Sequence, residues 1–276
     1  MKLVFTKMHG LGNDFVVIDA IRQQVKLSTR SCQSIADRRF GIGCDQILLI
    51  EPPRTDNSDF YYRIFNADGS EVEACGNGAR CFARFVKEKG LNDKDIISVE
   101  TMAGMITLRH LSEDNIEVDM GIPDFKPSHI PFIAPHQLPT YTLDIGDVTY
   151  NICTLSMGNP HAVLIVPDIK QAPVSRLGPM IEHNPAFPQR ANVGFMQIAQ
   201  RAEIHLRVYE RGIGETLACG TGACAAVVAG RLLGLLDERV LVHLPGGDLV
   251  VKWHLEGQPV LTQGPAETVY EGTIEL

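Results

Sequence analysis

Short apolar runs broken by glycine and polar turns dominate the chain, and most of them read as strands. Leu3 to Met8 is one. His9-Gly10-Leu11-Gly12-Asn13 turns the chain into a second at Phe15 to Ile18. Gln46 to Ile50, Phe60 to Phe65 and Ile116 to Met120 follow, and Ile96 to Thr101 and Met105 to Leu111 flank a hairpin at Ala103-Gly104. Two stretches carry helical spacing instead. Ser28 or Thr29 caps a helix expected to end by Phe40, with Gly41 as its stop. A second helix runs from Gly76 to Gly90, with Ala79, Phe82, Ala83 and Val86 on one face. The proline-rich stretch from Gly121 to Pro139 reads as a boundary.

The second half repeats this order. Gly12-Asn13 before a strand matches Gly158-Asn159 before Ala162 to Val166. Ile42-Gly43-x-x-Gln46-Ile47 matches Val193-Gly194-x-x-Gln197-Ile198. The Gly76 helix matches one from Gly220, and Gly104 between strands matches Gly247 between Val240 to Leu244 and Leu249 to Leu255. Matches in one order at a nearly constant spacing point to a duplication. The Gly220 helix is apolar almost all round, from Ala223 through Ala229, so it is buried on most sides. The expected fold class is therefore α/β with α+β character. It consists of two similar lobes related by a pseudo-twofold, each a mostly antiparallel, barrel-like sheet wrapped around a central helix. The expected lobes are residues 1–120, with the tail 265–276 packing on it, and 121–264, with the active site in the cleft between them.

Each central helix is preceded by a cysteine. Asn66 to Cys81 places Cys75 before Gly-Asn-Gly, and Glu210 to Cys224 places Cys219 before Gly-Thr-Gly. A helix mouth offers N–H groups with no partner inside the helix, which favour a thiolate or a bound carboxylate. Two such thiols facing each other could invert a carbon, one taking a proton and the other returning one. The same N–H groups would stabilise the carbanion. A reversible Cys75/Cys219 disulfide in a thiol redox protein is the alternative. The run from Gly220 to Ala225 also fits G-x-G-x-x-A, but no clear strand precedes it and no βαβ rhythm follows, so a dinucleotide site has little support.

Composition narrows these readings. At 276 residues the chain can bury a full core, and none of its apolar runs is long enough to span a membrane as a helix. A net charge of −8 argues against nucleic acid or an anionic membrane as partner. The seven cysteines include no C-x-x-C pair, so no metal site is expected, and most read as buried thiols of a cytoplasmic protein. Beside glycine, Asn13 and Asn159 read on spacing alone as turn residues, and Glu210-Arg211 as a solvated pair.

The motifs taken together are more specific. Asn66-x-Asp68-Gly69-Ser70-x-x-x-x-Cys75-Gly76-Asn77-Gly78-x-Arg80 resembles the signature of the diaminopimelate epimerases. Gly12-Asn13-Asp14-Phe15, Gly43-x-Asp45-Gln46, Gly158-Asn159-Pro160-His161, Asn192-Val193, Glu210-Arg211-Gly212 and Ala218-Cys219-Gly220-Thr221-Gly222 also resemble that family, in its order. The proline racemases share the two-thiol idea but match less well. The resemblance implies interconversion of LL- and meso-diaminopimelate without a cofactor, with Cys75 and Cys219 as the acid/base pair. It implies that N–H groups at Gly76-Asn77 and Gly220-Thr221 hold the reacting carboxylate. It implies that Asn13, Gln46, Asn66, Asn159, Asn192, Glu210 and Arg211 bind the substrate, with His161 as a neighbour. A homodimer is likewise implied.

Overall fold

The structure is a computed structural model describing residues 2–73, 75–112, 114–255 and 257–276. Ala74, which opens the first copy of the repeated Ala-Cys-Gly motif, lies outside them. The chain divides into two compact units, Met1–Asp119 with Gln263–Leu276, and Met120–Thr262. Among the described residues no helix is long and apolar enough to cross a membrane.

In the first unit β1 (Lys2–Gly10) and β2 (Asn13–Asp19) form a hairpin, and β2 runs parallel to β3 (Gln46–Glu51). β4 (Phe60–Asn66) returns antiparallel to β3 and bears the two-residue β5 (Glu71–Val72) on part of its edge. It also runs parallel to β6 (Ile96–Thr101), after which β7 (Gly104–His110) and β8 (Ile116–Asp119) complete a meander. The central strands are buried on both faces, and alternation decides which helix each residue meets. Val16, Ile18, Ile47 and Leu49 pack with Cys32, Ile35 and Ala36 of α1 (Thr29–Ala36). Phe15, Leu48 and Tyr62 instead face α2 (Gly76–Glu88), where a side chain on Gly78 would meet the Tyr62 hydroxyl at 2.7 Å. Phe82 of α2 packs edge-on against Phe60 and Tyr62. Tight packing thus requires glycine in the first turn of α2.

The first helix stops earlier than its sequence spacing suggests. Ser28 is the N-cap and accepts the Ser31 N–H, but α1 ends at Ala36 rather than near Phe40. The cause is Asp37, whose carboxylate accepts the N–H groups of Arg39 and Phe40 at 2.7 and 2.8 Å and so builds a turn in place of another helical turn.

The second unit repeats these pairings. β9 (Tyr141–Ile145) lies against β10 (Val148–Ser156), which forms a hairpin with β11 (Pro160–Ile165). β11 is parallel to β12 (Asn192–Gln200), and β12 is antiparallel to β13 (Glu203–Glu210). β13 bears the short β14 (Gly214–Thr216) and runs parallel to β15 (Arg239–Leu244), which turns into β16 (Gly247–Lys252). Helix α3 (Val174–Glu182) covers one face. Helix α4 (Gly220–Leu232) packs on the other, with Gly222 through Gly230 all buried. β17 (Leu261–Gly264) carries the chain out of this unit. β18 (Glu267–Glu275) then lies antiparallel to β1, just as β9 lies against β10. The duplication read from the sequence is therefore a repeat of strand pairings, parallel steps included.

Helix α3 escaped the sequence pattern because Gly178 and Pro179 stand inside it, residues that ordinarily mark an end. Gly178 has a packing reason: a Cβ there would lie 2.5 Å from Cγ of Tyr209 on β13. Gly178→Ala is expected to lower stability by about 1–3 kcal/mol through overpacking, despite the better helix propensity of alanine. Urea unfolding checks this; an unchanged or raised midpoint would contradict it.

Candidate active site

In the first unit, sheet register places the polar residues. Parallel pairing sets Phe15 opposite Gln46, and antiparallel pairing sets Gln46 opposite Asn66, so the strand ends carrying Asn13, Gln46 and Asn66 are neighbours. Gln46 Nε2 donates to Asn66 Oδ1 at 2.9 Å, and Asn66 Nδ2 donates to Ser70 Oγ at 3.1 Å. Cys75 is the N-cap residue of α2 and is only partly buried. Its Sγ lies 3.6 Å from Asn13 Oδ1, which also accepts from Asn77 Nδ2 at 3.2 Å. A cysteine at the N-cap brings no side-chain oxygen to the first-turn N–H groups, and such a helix mouth suits a bound anion.

A charged network beneath Asn13 holds this loop. Arg38 forks onto both oxygens of Asp14 at 2.9 and 2.7 Å and reaches Asp45 at 2.7 Å. The buried Lys7 bonds Asp14 at 2.6 Å and the Gly43 carbonyl. Asp14 and Asp45 also exchange backbone bonds, Asp45 N–H to Asp14 Oδ1 and Asp14 N–H to Asp45 Oδ2. Burial alone would raise the Asp14 carboxyl, but the Arg38 and Lys7 contacts outweigh it and hold the group well below the usual carboxylate range. Sequence reasoning passed over this network. Asp14 and Asp45 stand inside the quoted motifs, but nothing in their spacing points to an ion network.

In the second unit Cys219 is buried and caps α4. Its Sγ lies 3.6 Å from Thr221 Oγ1, which accepts from Asn159 Nδ2 at 3.3 Å. Asn159 Oδ1 lies 2.8 Å from His161 Nε2. Burial, and then Arg211, push His161 down to about 3, so its imidazole is neutral and can donate one N–H to that oxygen. Burial, and then the Glu210 carboxylate, push the Cys219 thiol well up. The Thr221 hydroxyl and the Gly222 N–H pull the other way without prevailing. Thr216 donates to Glu210. Asn192 Nδ2 donates to the Pro160 carbonyl, and its Oδ1 accepts the Arg211 N–H at 3.0 Å. The Arg211 side chain, largely exposed, reaches the Gln189 carbonyl. Glu182, absent from the sequence reading, holds this turn by accepting the Gly212 N–H at 2.7 Å.

Each unit thus assembles its own predicted residues about its helix mouth: Asn13, Cys75 and Asn77 beside the Gln46–Asn66 pair in the first, and Asn159, His161, Thr221, Cys219 and Glu210 beside the Asn192–Arg211 pair in the second. The other five cysteines, Cys32, Cys44, Cys81, Cys153 and Cys224, are buried. Burial raises the thiols of Cys153 and Cys44, to about 11 and about 12. Among the described residues no cluster of three or more His, Cys, Asp or Glu is placed to hold a metal ion.

Known proteins resemble the chain along its whole length. The family model described as diaminopimelate epimerase matches residues 5–126 and 153–269. The diaminopimelate epimerase of Chromobacterium violaceum is 58% identical over 276 residues, and that of Thioalkalivibrio sulfidiphilus 59% over 278, each match covering 100% of both chains. Among solved structures, a hydroxyproline epimerase from Agrobacterium vitis with bound trans-4-OH-L-proline matches at TM-score 0.71 and 14% identity, over 99% of this chain and 92% of that one. A phenazine biosynthesis protein of the PhzF family from Bacillus anthracis matches at 0.69 and 16%, over 100% of both. At these identities the structural likeness is one of fold.

The Asp14 network yields a pH-dependent prediction. A carboxyl held low in the folded state adds stability above its unfolded value, near 3.9, and loses that contribution as pH falls toward the folded value. Asp14→Asn is expected to cost about 3 kcal/mol at pH 7, by leaving Lys7 and Arg38 without their shared carboxylate. The deficit should shrink as the pH is lowered below about 4. Urea unfolding at both ends of that range decides it; a deficit independent of pH would contradict the assignment.

Proposed function

The chain belongs to the diaminopimelate epimerase family of isomerases, and we propose that it interconverts LL-2,6-diaminopimelate and meso-2,6-diaminopimelate by a two-base mechanism using Cys75 and Cys219. The observation that carries this reading is the repeated one: in each unit a thiol stands at the N-cap of the central helix, Cys75 against the Asn13 side chain and Cys219 against Thr221, which accepts from Asn159.

The chemistry follows from what each group can do. The α-hydrogen of an amino acid is feebly acidic, and its removal places charge that spreads into the α-carboxylate. N–H groups of the first turns, at Gly76-Asn77 and Gly220-Thr221, stabilise that charge where it develops. One sulfur, as thiolate, takes the proton from one face of the carbon. The other, as thiol, delivers a proton to the opposite face, and the configuration inverts. The roles exchange in the reverse direction, so each thiol must be able to gain and lose a proton near neutrality. In this reading acid and base both come from the chain and no cofactor enters.

Glu210 gives the substrate a part in activating Cys219. Its charge disfavours the Cys219 thiolate while the site is empty. A substrate ammonium paired with Glu210 would cancel that repulsion and make the thiolate cheaper when it is needed. Arg211 suits a carboxylate by its forked donors. Asn13, Gln46, Asn66, Asn159 and Asn192 offer donors and acceptors for the non-reacting end. Cytoplasmic lysine and peptidoglycan precursor synthesis, and a homodimeric assembly, belong to the same proposal.

Cys75→Ala and Cys219→Ala are each expected to lower interconversion by about 10²–10⁴-fold or more, with far-UV circular dichroism unchanged. Chiral chromatography of reaction mixtures started from either isomer measures this. Near-native turnover by either variant would contradict the two-base reading.

A further inference from the structure

The polar contacts at the α2 mouth form one directed chain with a charge at each end. Arg80, fully buried on α2, donates from Nη2 to Asn77 Oδ1 at 2.6 Å and from Nε to the Pro265 carbonyl at 3.0 Å. Asn77 therefore turns its Nδ2 outward, where it donates to Asn13 Oδ1 at 3.2 Å. Asn13 in turn points its own Nδ2 away from the helix, donating to Asp45 Oδ2 at 2.9 Å. A guanidinium can only donate and a carboxylate can only accept, so both amides have a single satisfied orientation. That orientation aims Asn13 Oδ1, an acceptor, at Cys75 Sγ.

We propose that Asp45 and Arg80, acting through the Asn77–Asn13 amide chain, hold Cys75 as the protonated thiol in the substrate-free protein, which makes Asp45 a positioning residue for the proton that Cys75 delivers. The inference deepens the two-thiol reading above and rests on it. A sulfhydryl donates to Asn13 Oδ1, whereas a thiolate beside that oxygen would meet its partial negative charge. For Asn13 to present its amide N–H to a thiolate, it would have to face Asp45 and Asn77 with the wrong atoms and lose both bonds. The helix mouth still favours negative charge; the amide chain opposes it where the sulfur sits.

The second unit shows that the repeat alone does not impose this arrangement. Asn159 occupies the position equivalent to Asn13, yet its Oδ1 faces His161 and its Nδ2 faces Thr221. A neutral histidine that donates has replaced a carboxylate that accepts, and the amide has turned over. Within the first unit, Tyr62 on β4 and Cys81 on α2 are titratable groups that interact with Cys75. Burial raises both, so neither carries charge near neutrality. Arg80 on α2 is a cation bonded to Asn77, and Asp45, with Asp14, Arg38 and Lys7, stands behind Asn13.

The test uses the full chain carrying Cys219→Ala, so that Cys75 reports alone, the remaining cysteines being buried. Alkylation by iodoacetamide is followed by intact mass across pH. With Asp45 present, the midpoint is expected at or above about 8.5, the ordinary thiol value. Asp45→Ala removes one of the two bonds that hold the Asn13 amide, so that turning over costs only the Asn77 bond, and lowers the midpoint by about one pH unit. Arg38→Gln, which loosens the same loop but keeps the Asp45 carboxylate, leaves the midpoint where it was. A midpoint below about 8.5 with Asp45 present overturns the proposal, whether or not any further variant folds. So does an Asp45→Ala midpoint that is unchanged or raised, or an Arg38→Gln shift equal to that of Asp45→Ala. Interconversion by the unsubstituted protein is measured in parallel. If it is absent while alkylation behaves as expected, the functional reading fails and the amide chain stands; the reverse pair of results removes the amide chain alone.

Discussion

A helix buried inside a sheet cannot hide its first turn. The N–H groups of that turn have no carbonyl within the helix to receive them, and a cysteine at the N-cap brings no oxygen to take their place. Both central helices of this chain begin in that way, at Cys75 and at Cys219. Packing fixes where they begin: α4 is buried along nearly its whole length, and Gly78 of α2 sits against Tyr62 and Phe15 with no room for a side chain. A helix mouth suited to an anion, with a thiol at its rim, follows from these constraints, and amide side chains are arranged around it in both units.

The two copies use one backbone plan to opposite electrostatic ends. In the first unit Asp45 draws the Asn13 amide back and leaves an oxygen beside the thiol. In the second, His161 lies against the Asn159 oxygen and leaves its NH2 group toward Thr221. Cys75 is partly exposed, whereas Cys219 is buried near a carboxylate. A catalyst that inverts a centre treats two mirror-related faces alike in outline but must keep one proton more on one side than on the other. A duplicated frame whose equivalent side chains differ in polarity suits that requirement.

Much of the frame was legible in the sequence because strand alternation and the Cys-Gly-x-Gly motif are local signals. The matched positions Asn13/Asn159, Gly104/Gly247 and Cys75/Cys219 stand at or just before the starts of equivalent elements of the two units. What escaped were features set by contacts distant in sequence. Helix α3 carries Gly178 and Pro179 inside it, residues that ordinarily mark an end, and at Gly178 it is Tyr209, distant in sequence, that leaves room only for glycine. Asp37 ends α1 a turn early through its own side-chain bonds. Asp14, Asp45, Lys7 and Arg38 are scattered over several elements, and nothing in their spacing announces an ion network; only the pairing of β1 with β2 and of β2 with β3 brings them together. The site's amides were legible as residues, but their orientation was not, because it depends on charges two contacts away.

In the two-thiol proposal this chain inverts an amino-acid α-carbon with its own exchangeable protons. Proton NMR of LL-2,6-diaminopimelate in D2O, with the reduced protein and no added cofactor, tests it most directly. The α-proton signal of the substrate is expected to disappear at a protein-dependent rate while meso product accumulates with deuterium at the inverted carbon. A folded, reduced protein that leaves the α-proton signal intact would contradict it.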